Sequence, residues 1–189
     1  MDVTSQGHGW QESDFEEILL DQATIEQRLD EMAAEIDAEY QGTSILAIGV
    51  LKGAVMVVAD LTRRLRLPVE MDWMAVSSYG SGTKSSGVVR ILKDLDVDVH
   101  DRHVLIIEDI IDSGLTLSWL KDNLETRGAK SVKIATLLRK PEALKVNVQV
   151  DFIGFDIPNR FVVGYGLDFN EQYRSLPFVA TLAPQVYGG

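Results

Sequence analysis

The chain has 189 residues, 46% of them apolar and 25% charged, proportions of a globular protein with room for a full core. It contains no cysteine, which excludes disulfides, thiolate metal sites and a cysteine nucleophile, and its apolar runs fall short of the roughly 20 residues a bilayer span needs. The net charge of −11 belongs to one end: residues 1–40 hold twelve acids against Arg28 alone, whereas residues 41–189 hold seventeen charges of each sign.

Residues 1–13 are polar apart from Trp10 and read as a disordered tail. Residues 14–189 read as a single domain. Thr24 with Gln27 makes a capping box, and Ile25, Leu29, Met32, Ile36 and Tyr40 recur at spacings of three and four. That pattern predicts an amphipathic helix, stopped at Gly42. Residues 44–50 form a short apolar run, a buried strand, and a helix runs from Ala54 to about Arg66, ended by Pro68. Residues 69–79 and 88–93 read as strands around the Gly/Ser loop GSGTKSSG, a hairpin tip or a flap. A buried strand over 103–108 and a helix over 116–127, capped by Gly128, come next. Strands over 132–138, 151–155, 161–167 and 178–182 complete the set. Alternation of strands and helices, with continuously apolar strands, predicts an α/β fold: a mainly parallel central sheet flanked by helices. Ligands of such sheets bind beyond the carboxyl ends of the strands. Three loops lie there: LKG after Val50, EDIIDSGLT after Ile107 and RKPEAL after Leu138.

In VLIIEDIIDSGLTL (104–117) an apolar strand runs into Glu108 and Asp109, with Asp112 three residues on. Buried carboxylates need cationic or hydroxyl partners. The turn Ser113-Gly114-Leu115-Thr116 opens a helix, whose N-terminal amides favour an anion. One ligand meets both needs: a phosphorylated sugar whose hydroxyls face the acids and whose phosphate faces the turn. A salt-bridged loop with an ordinary helix cap is the structural alternative. A Walker A loop is absent.

IIEDIIDSGLTL resembles the phosphoribosyl pyrophosphate motif of the type I phosphoribosyltransferases, and among these the hypoxanthine-guanine branch with its Glu-Asp pair. VLKGA (50–54), SSYG (77–80), LLRKP (137–141) and FVVGYGLDFNEQYR (161–174) agree in the same order. The resemblance implies the type I fold, with a small hood formed by terminal segments and a flexible loop. It also implies transfer of ribose 5-phosphate from phosphoribosyl pyrophosphate to a 6-oxopurine, giving IMP or GMP and pyrophosphate. By resemblance, Glu108 and Asp109 hold the ribose hydroxyls, Asp112 is the general base toward the purine imidazole nitrogen, and Ser113, Gly114, Leu115 and Thr116 cradle the 5′-phosphate.

The same resemblance assigns pyrophosphate to Leu51, Lys52 and Gly53, whose first peptide bond can be cis, and to Arg174. Taken alone, Lys52-Gly53 reads as a turn with a solvated lysine. The resemblance implies that Lys140 donates to the 6-oxo group, Phe161 stacks on the purine and the Val162 carbonyl receives ring donors. Taken alone, Phe161 reads as a core strand residue. By the resemblance Asp168 would hold Mg²⁺, with Glu108 and Asp109 as further oxygen ligands. Ser78 and Tyr79 open the segment that, by the resemblance, closes over the reacting centre.

A homodimer or homotetramer is expected from the same source. A phosphoribosyltransferase preferring xanthine, and a non-catalytic regulator sensing phosphoribosyl pyrophosphate, are the alternatives. Asp112 and the lack of a basic block argue against the regulator, so no nucleic-acid partner is expected. The N-terminal stretch lacks the basic and apolar regions of a secretory signal, so neither a membrane partner nor secretion is expected and a cytoplasmic location is.

Overall fold

The structure is a computed structural model that describes residues 10–78 and 89–187, the side chains of Ser78 and Tyr187 excepted. Most of the expected tail (1–9), Tyr79 and the Gly/Ser loop lie outside the described residues. In chain order the elements are β1 (Phe15–Leu20), α1 (Gln22–Tyr40), β2 (Ile45–Val50), α2 (Val55–Thr62), β3 (Val69–Ser78), β4 (Val89–Lys93) and β5 (His103–Ile111). They continue with α3 (Leu115–Thr126), β6 (Ser131–Arg139), β7 (Phe152–Asp156), β8 (Val162–Val163), β9 (Val179–Leu182) and α4 (Pro184–Tyr187).

Six strands form the main sheet in the order β4-β3-β2-β5-β6-β7. All neighbours are parallel except β3 and β4, which pair antiparallel. Successive side chains on a strand point to opposite faces, and here both faces are covered. Ile45, Ala47, Leu105, Ile107, Ala135 and Leu137 pack with α1 and α2. Leu46, Ile48, Val104, Ile106, Val132 and Ile134 pack with Leu117, Leu120 and Leu124 of α3. That two-sided burial is why β2 is apolar at every position: each Leu or Ile withdrawn from water is worth about 1.5–3 kcal/mol.

Helix α1 buries the expected stripe from Ile25 to Tyr40, and its acids face outward. Its start differs from the expected one. Asp21, in extended conformation, is the N-cap and accepts from the Thr24 amide at 2.8 Å, so Thr24 lies inside the first turn. Aspartate in that position also suits the positive end of the helix dipole. The helix ends at Gln41 and Gly42, both left-handed (φ 46° and 80°). Helix α2 is shorter than its apolar pattern suggests. After Thr62 the chain tightens into three-residue turns, with the Arg64 amide bonding the Leu61 carbonyl and the Leu65 amide the Thr62 carbonyl.

A second, three-stranded antiparallel sheet, β1-β9-β8, joins both ends of the described chain. It supplies the hood. Strand β1 was not expected, since FEEILL does not alternate cleanly; its pairing with β9, some 160 residues later, makes it a strand. Trp10, assigned to the loose tail, packs its ring on Phe15 and Phe178 at centroid distances of 5.6 and 5.9 Å. The strand expected over 161–167 contracts to Val162–Val163. Gly164, Tyr165 and Gly166 all take positive φ (95°, 50° and 100°) and turn the chain back toward the sheet.

Candidate active site

A cleft of about 500 Å³ opens beyond the carboxyl ends of β2, β5 and β6. The expected loops meet there, as the parallel topology requires. From β2 come Leu51, Lys52 and Gly53; from β5 and its turn come Glu108, Asp109, Asp112, Ser113, Gly114 and Thr116. Lys140 follows β6, and the hood segment adds Phe161, Val162, Asp168 and Arg174. Leu115 opens α3 but is not part of the lining. Ser78 ends β3, with its side chain outside the description, and Tyr79 is undescribed.

Strand β5 was expected to end at Glu108. It continues to Ile111, because β6 goes on pairing with it through Ile110↔Leu138 and Ile111↔Arg139. The two acids are therefore buried within a strand, 8% and 9% exposed. Burial pushes the Glu108 carboxyl well above the usual carboxylate range, and the charge of Asp109 pushes it the same way. Burial also raises Asp109, to about 6; its bond from the Ile110 amide (2.8 Å) and the charge of Arg174 offset part of the effect. Both groups suit a ligand that replaces lost water with hydroxyls or a cation.

Gly114, left-handed at φ 77°, is the N-cap of α3 and offers no capping side chain. Ser113 Oγ makes one long contact to the Leu115 amide, 3.4 Å. The first-turn amides of α3 have no carbonyl one turn back to bond, and Gly114, Thr116 and Leu117 line the cleft. Backbone amides in that position favour an anion.

The Leu51–Lys52 peptide bond is cis, as the resemblance implied. Gly53 then passes so close to Asp109 that a side chain would not fit: a Cβ would meet Asp109 Oδ2 at 1.8 Å. Lys140 is buried and its ammonium stands 3.8 Å from the exposed Asp112 carboxylate. Phe161 was read, taken alone, as a core residue; it is 53% exposed instead, its ring edge-on to Phe169 at 5.9 Å. The Arg174 guanidinium bonds the Gly166 carbonyl (2.8 Å) and pairs with Asp168 (2.9 Å) and Glu171 (3.1 Å).

Glu171, which sequence reasoning passed over, also pairs with Lys52 at 2.9 Å. The signal lay in view within FVVGYGLDFNEQYR, but nothing local says that its acid reaches a lysine 119 positions away. Ile110, Ile111, Leu117 and Leu167 are apolar wall residues that were likewise not singled out.

Among the described residues, no three His, Asp or Glu side chains are grouped so as to hold a metal ion by themselves. The acids at the cleft offer oxygen donors only. That donor set suits a hard cation such as Mg²⁺, which commonly takes one or two carboxylates and fills its shell with substrate oxygens and water.

A mainly parallel sheet with a cleft at its carboxyl edge, under a small terminal sheet, is the architecture of a phosphoribosyltransferase, and the sequence pattern of the phosphoribosyl transferase domain matches residues 16–170. The chain belongs to that family and, within it, to the hypoxanthine-guanine phosphoribosyltransferases, the enzymes of purine salvage. It is 53% identical to the hypoxanthine-guanine phosphoribosyltransferase of Mycobacterium bovis, over 92% of this chain and 89% of that one. It is equally identical to the enzyme of that name from Bacillus subtilis, over 92% and 97% of the two chains. Among solved structures, a hypoxanthine phosphoribosyltransferase from Staphylococcus aureus superposes with a TM-score of 0.90 at 42% identity, covering 93% of this chain and 96% of that one.

Proposed function

We propose that this chain transfers ribose 5-phosphate from phosphoribosyl pyrophosphate to hypoxanthine, guanine or both, releasing pyrophosphate. The observation that carries the choice of base is the pairing of Lys140 with Asp112 at 3.8 Å. A 6-oxopurine presents O6 and N7 side by side on one edge. With a proton on N7, that edge offers an acceptor and a donor, which match an ammonium and a carboxylate held together. Adenine offers an amino group where Lys140 also donates, and is disfavoured.

Asp112 takes the proton from N7 as N9, the other imidazole nitrogen, attacks C1′, and the bond from C1′ to the pyrophosphate oxygen breaks. Positive charge gathers on the ribose, where Glu108 and Asp109 hold the hydroxyls and favour it. The amides and hydroxyls of the turn from Ser113 to Thr116 fix the 5′-phosphate. Lys52 and Arg174 receive the negative leaving group. Phe161 stacks on the base and the Val162 carbonyl meets its ring donors. Asp168, with Asp109 and Glu108 nearby, would hold Mg²⁺. That ion would neutralise charge on the pyrophosphate group. A homodimer or homotetramer in the cytoplasm belongs to the same reading.

The test is an assay of nucleotide formation with Mg²⁺, phosphoribosyl pyrophosphate and each purine base in turn. Turnover with hypoxanthine or guanine, far above that with adenine, is expected. Absence of turnover with both sinks the proposal, and turnover confined to xanthine reassigns the base.

A further inference from the structure

Two cations in the cleft already share an anion. Glu171 directs one carboxylate oxygen to Lys52 (2.9 Å) and the other to Arg174 (3.1 Å). The arrangement is carried by an unusual turn. Asn170, Glu171 and Tyr173 all take positive φ without being glycine (52°, 62° and 74°), and the Glu171 amide is tied to Asp168 Oδ2 at 2.9 Å. Each such residue costs the backbone energy, so the turn is held by its contacts. Both Lys52 and Glu171 are largely exposed. Exposed ion pairs are weak and exchange readily with other charges. Both partners draw the Glu171 carboxyl below its usual range, Lys52 most.

We propose that Glu171 is a resident counter-anion of the pyrophosphate subsite: its carboxylate holds Lys52 and Arg174 in place and gives them up to pyrophosphate. The proposal rests on the reading of those two cations as the pyrophosphate ligands. One carboxylate oxygen to each cation is the contact pattern that a phosphoryl group would make with two oxygens. The carboxylate therefore keeps two like charges close together, and it competes with the product that must leave. Glu171 is thus a positioning residue that also weakens product retention.

The test is the affinity for inorganic pyrophosphate, measured by titration calorimetry on the full chain, once with EDTA and once with Mg²⁺. Glu171→Gln keeps the shape and removes the charge. It is expected to tighten pyrophosphate binding about five-fold in both buffers, the scale of an exposed ion pair and a half-exposed one together. Unchanged or weaker binding in EDTA overturns the proposal. Weakening confined to Mg²⁺ also overturns it and makes Glu171 a metal ligand. Lys52→Ala and Arg174→Ala separate the two levels. If both bind pyrophosphate like the unaltered protein, the assignment of the cations fails. If they bind weakly and Glu171→Gln is not tighter, the counter-anion alone fails.

Discussion

Gly53 and Asp109 lie in mutual contact across the cleft floor, so close that a Cβ on Gly53 would fall 1.8 Å from the Asp109 carboxylate. Glycine is required here by space, since the loop beside Lys52 runs directly over a buried acid. Gly53→Ala must push the loop or the carboxylate aside. A displacement of that size at a reacting centre costs about 100-fold. Turnover is expected to fall by that order, while the circular dichroism spectrum stays unchanged. Near-normal kinetics would show that the close approach has no part in positioning.

Asp112 and Lys140 stand 3.8 Å apart in the cleft, and the proposed function has them divide one edge of the base. Asp112→Asn is expected to lower turnover by about 100-fold or more, the usual contribution of a general base. Its affinity for phosphoribosyl pyrophosphate should change less than about two-fold, because the substitution leaves the anion seat intact; this limit is an order-of-magnitude expectation from the separation of the two roles. A large loss of that affinity with little change in turnover would contradict the base role. Lys140→Ala is expected to raise the KM for hypoxanthine by about ten-fold or more, the value of a hydrogen bond from a charged donor. Unchanged oxopurine kinetics in this variant would remove Lys140 from base selection.

The acidity of Asp109 makes stability depend on pH in a defined direction. Its carboxyl titrates at about 6 in the folded chain, against about 3.9 when unfolded. As pH rises from about 4 to about 6, the unfolded chain releases this proton first, so this group lowers stability across that window and by a constant amount above it. Asp109→Asn removes the effect and relieves Glu108 of a neighbouring charge. In EDTA, the variant is expected to gain nothing at pH 4 and up to about 3 kcal/mol at pH 7, while losing activity. Urea unfolding at the two pH values measures the difference; an equal gain at both would refute the assignment.

The acidic helix α1 is held by its apolar stripe. Leu29 is fully buried within the core cluster that joins α1 and α2 to the sheet. Leu29→Ala is expected to cost about 2–5 kcal/mol, read as a lowered midpoint of urea unfolding. Arg28 beside it pairs with Glu31 and Glu35 and bonds the Ile153 and Gly154 carbonyls of β7. The acids of α1 are thus partly engaged in docking the helix onto the sheet.

The sheet was legible because each strand carries its own burial pattern. Ile45 to Val50 and Val104 to Ile107 are apolar on both faces, and the helices flanking them have their own spacing. The turn into α3 was legible for a similar reason: Ser113, Gly114 and Thr116 mark a strand-to-helix turn within a few positions. Strand β1 was not, because its identity comes from β9. Nor was the cap of α1, where Thr24-x-x-Gln27 and Asp21-x-x-Thr24 compete and only the backbone conformation of Asp21 chooses between them.

By itself the sequence determined the α/β alternation, the strand-to-helix turn after β5 and, through its resemblance, the family. Those depend on short-range periodicity and on residue types that a turn or a helix start demands. The tertiary structure decided that Glu108 and Asp109 lie inside the strand, because β6 keeps pairing beside them. It also decided that Lys140 meets Asp112, that Gly53 presses on Asp109 and that Glu171 reaches Lys52. Each of these contacts joins separate segments of the chain, and the energy that fixes it comes from the packing of the whole sheet rather than from any local pattern.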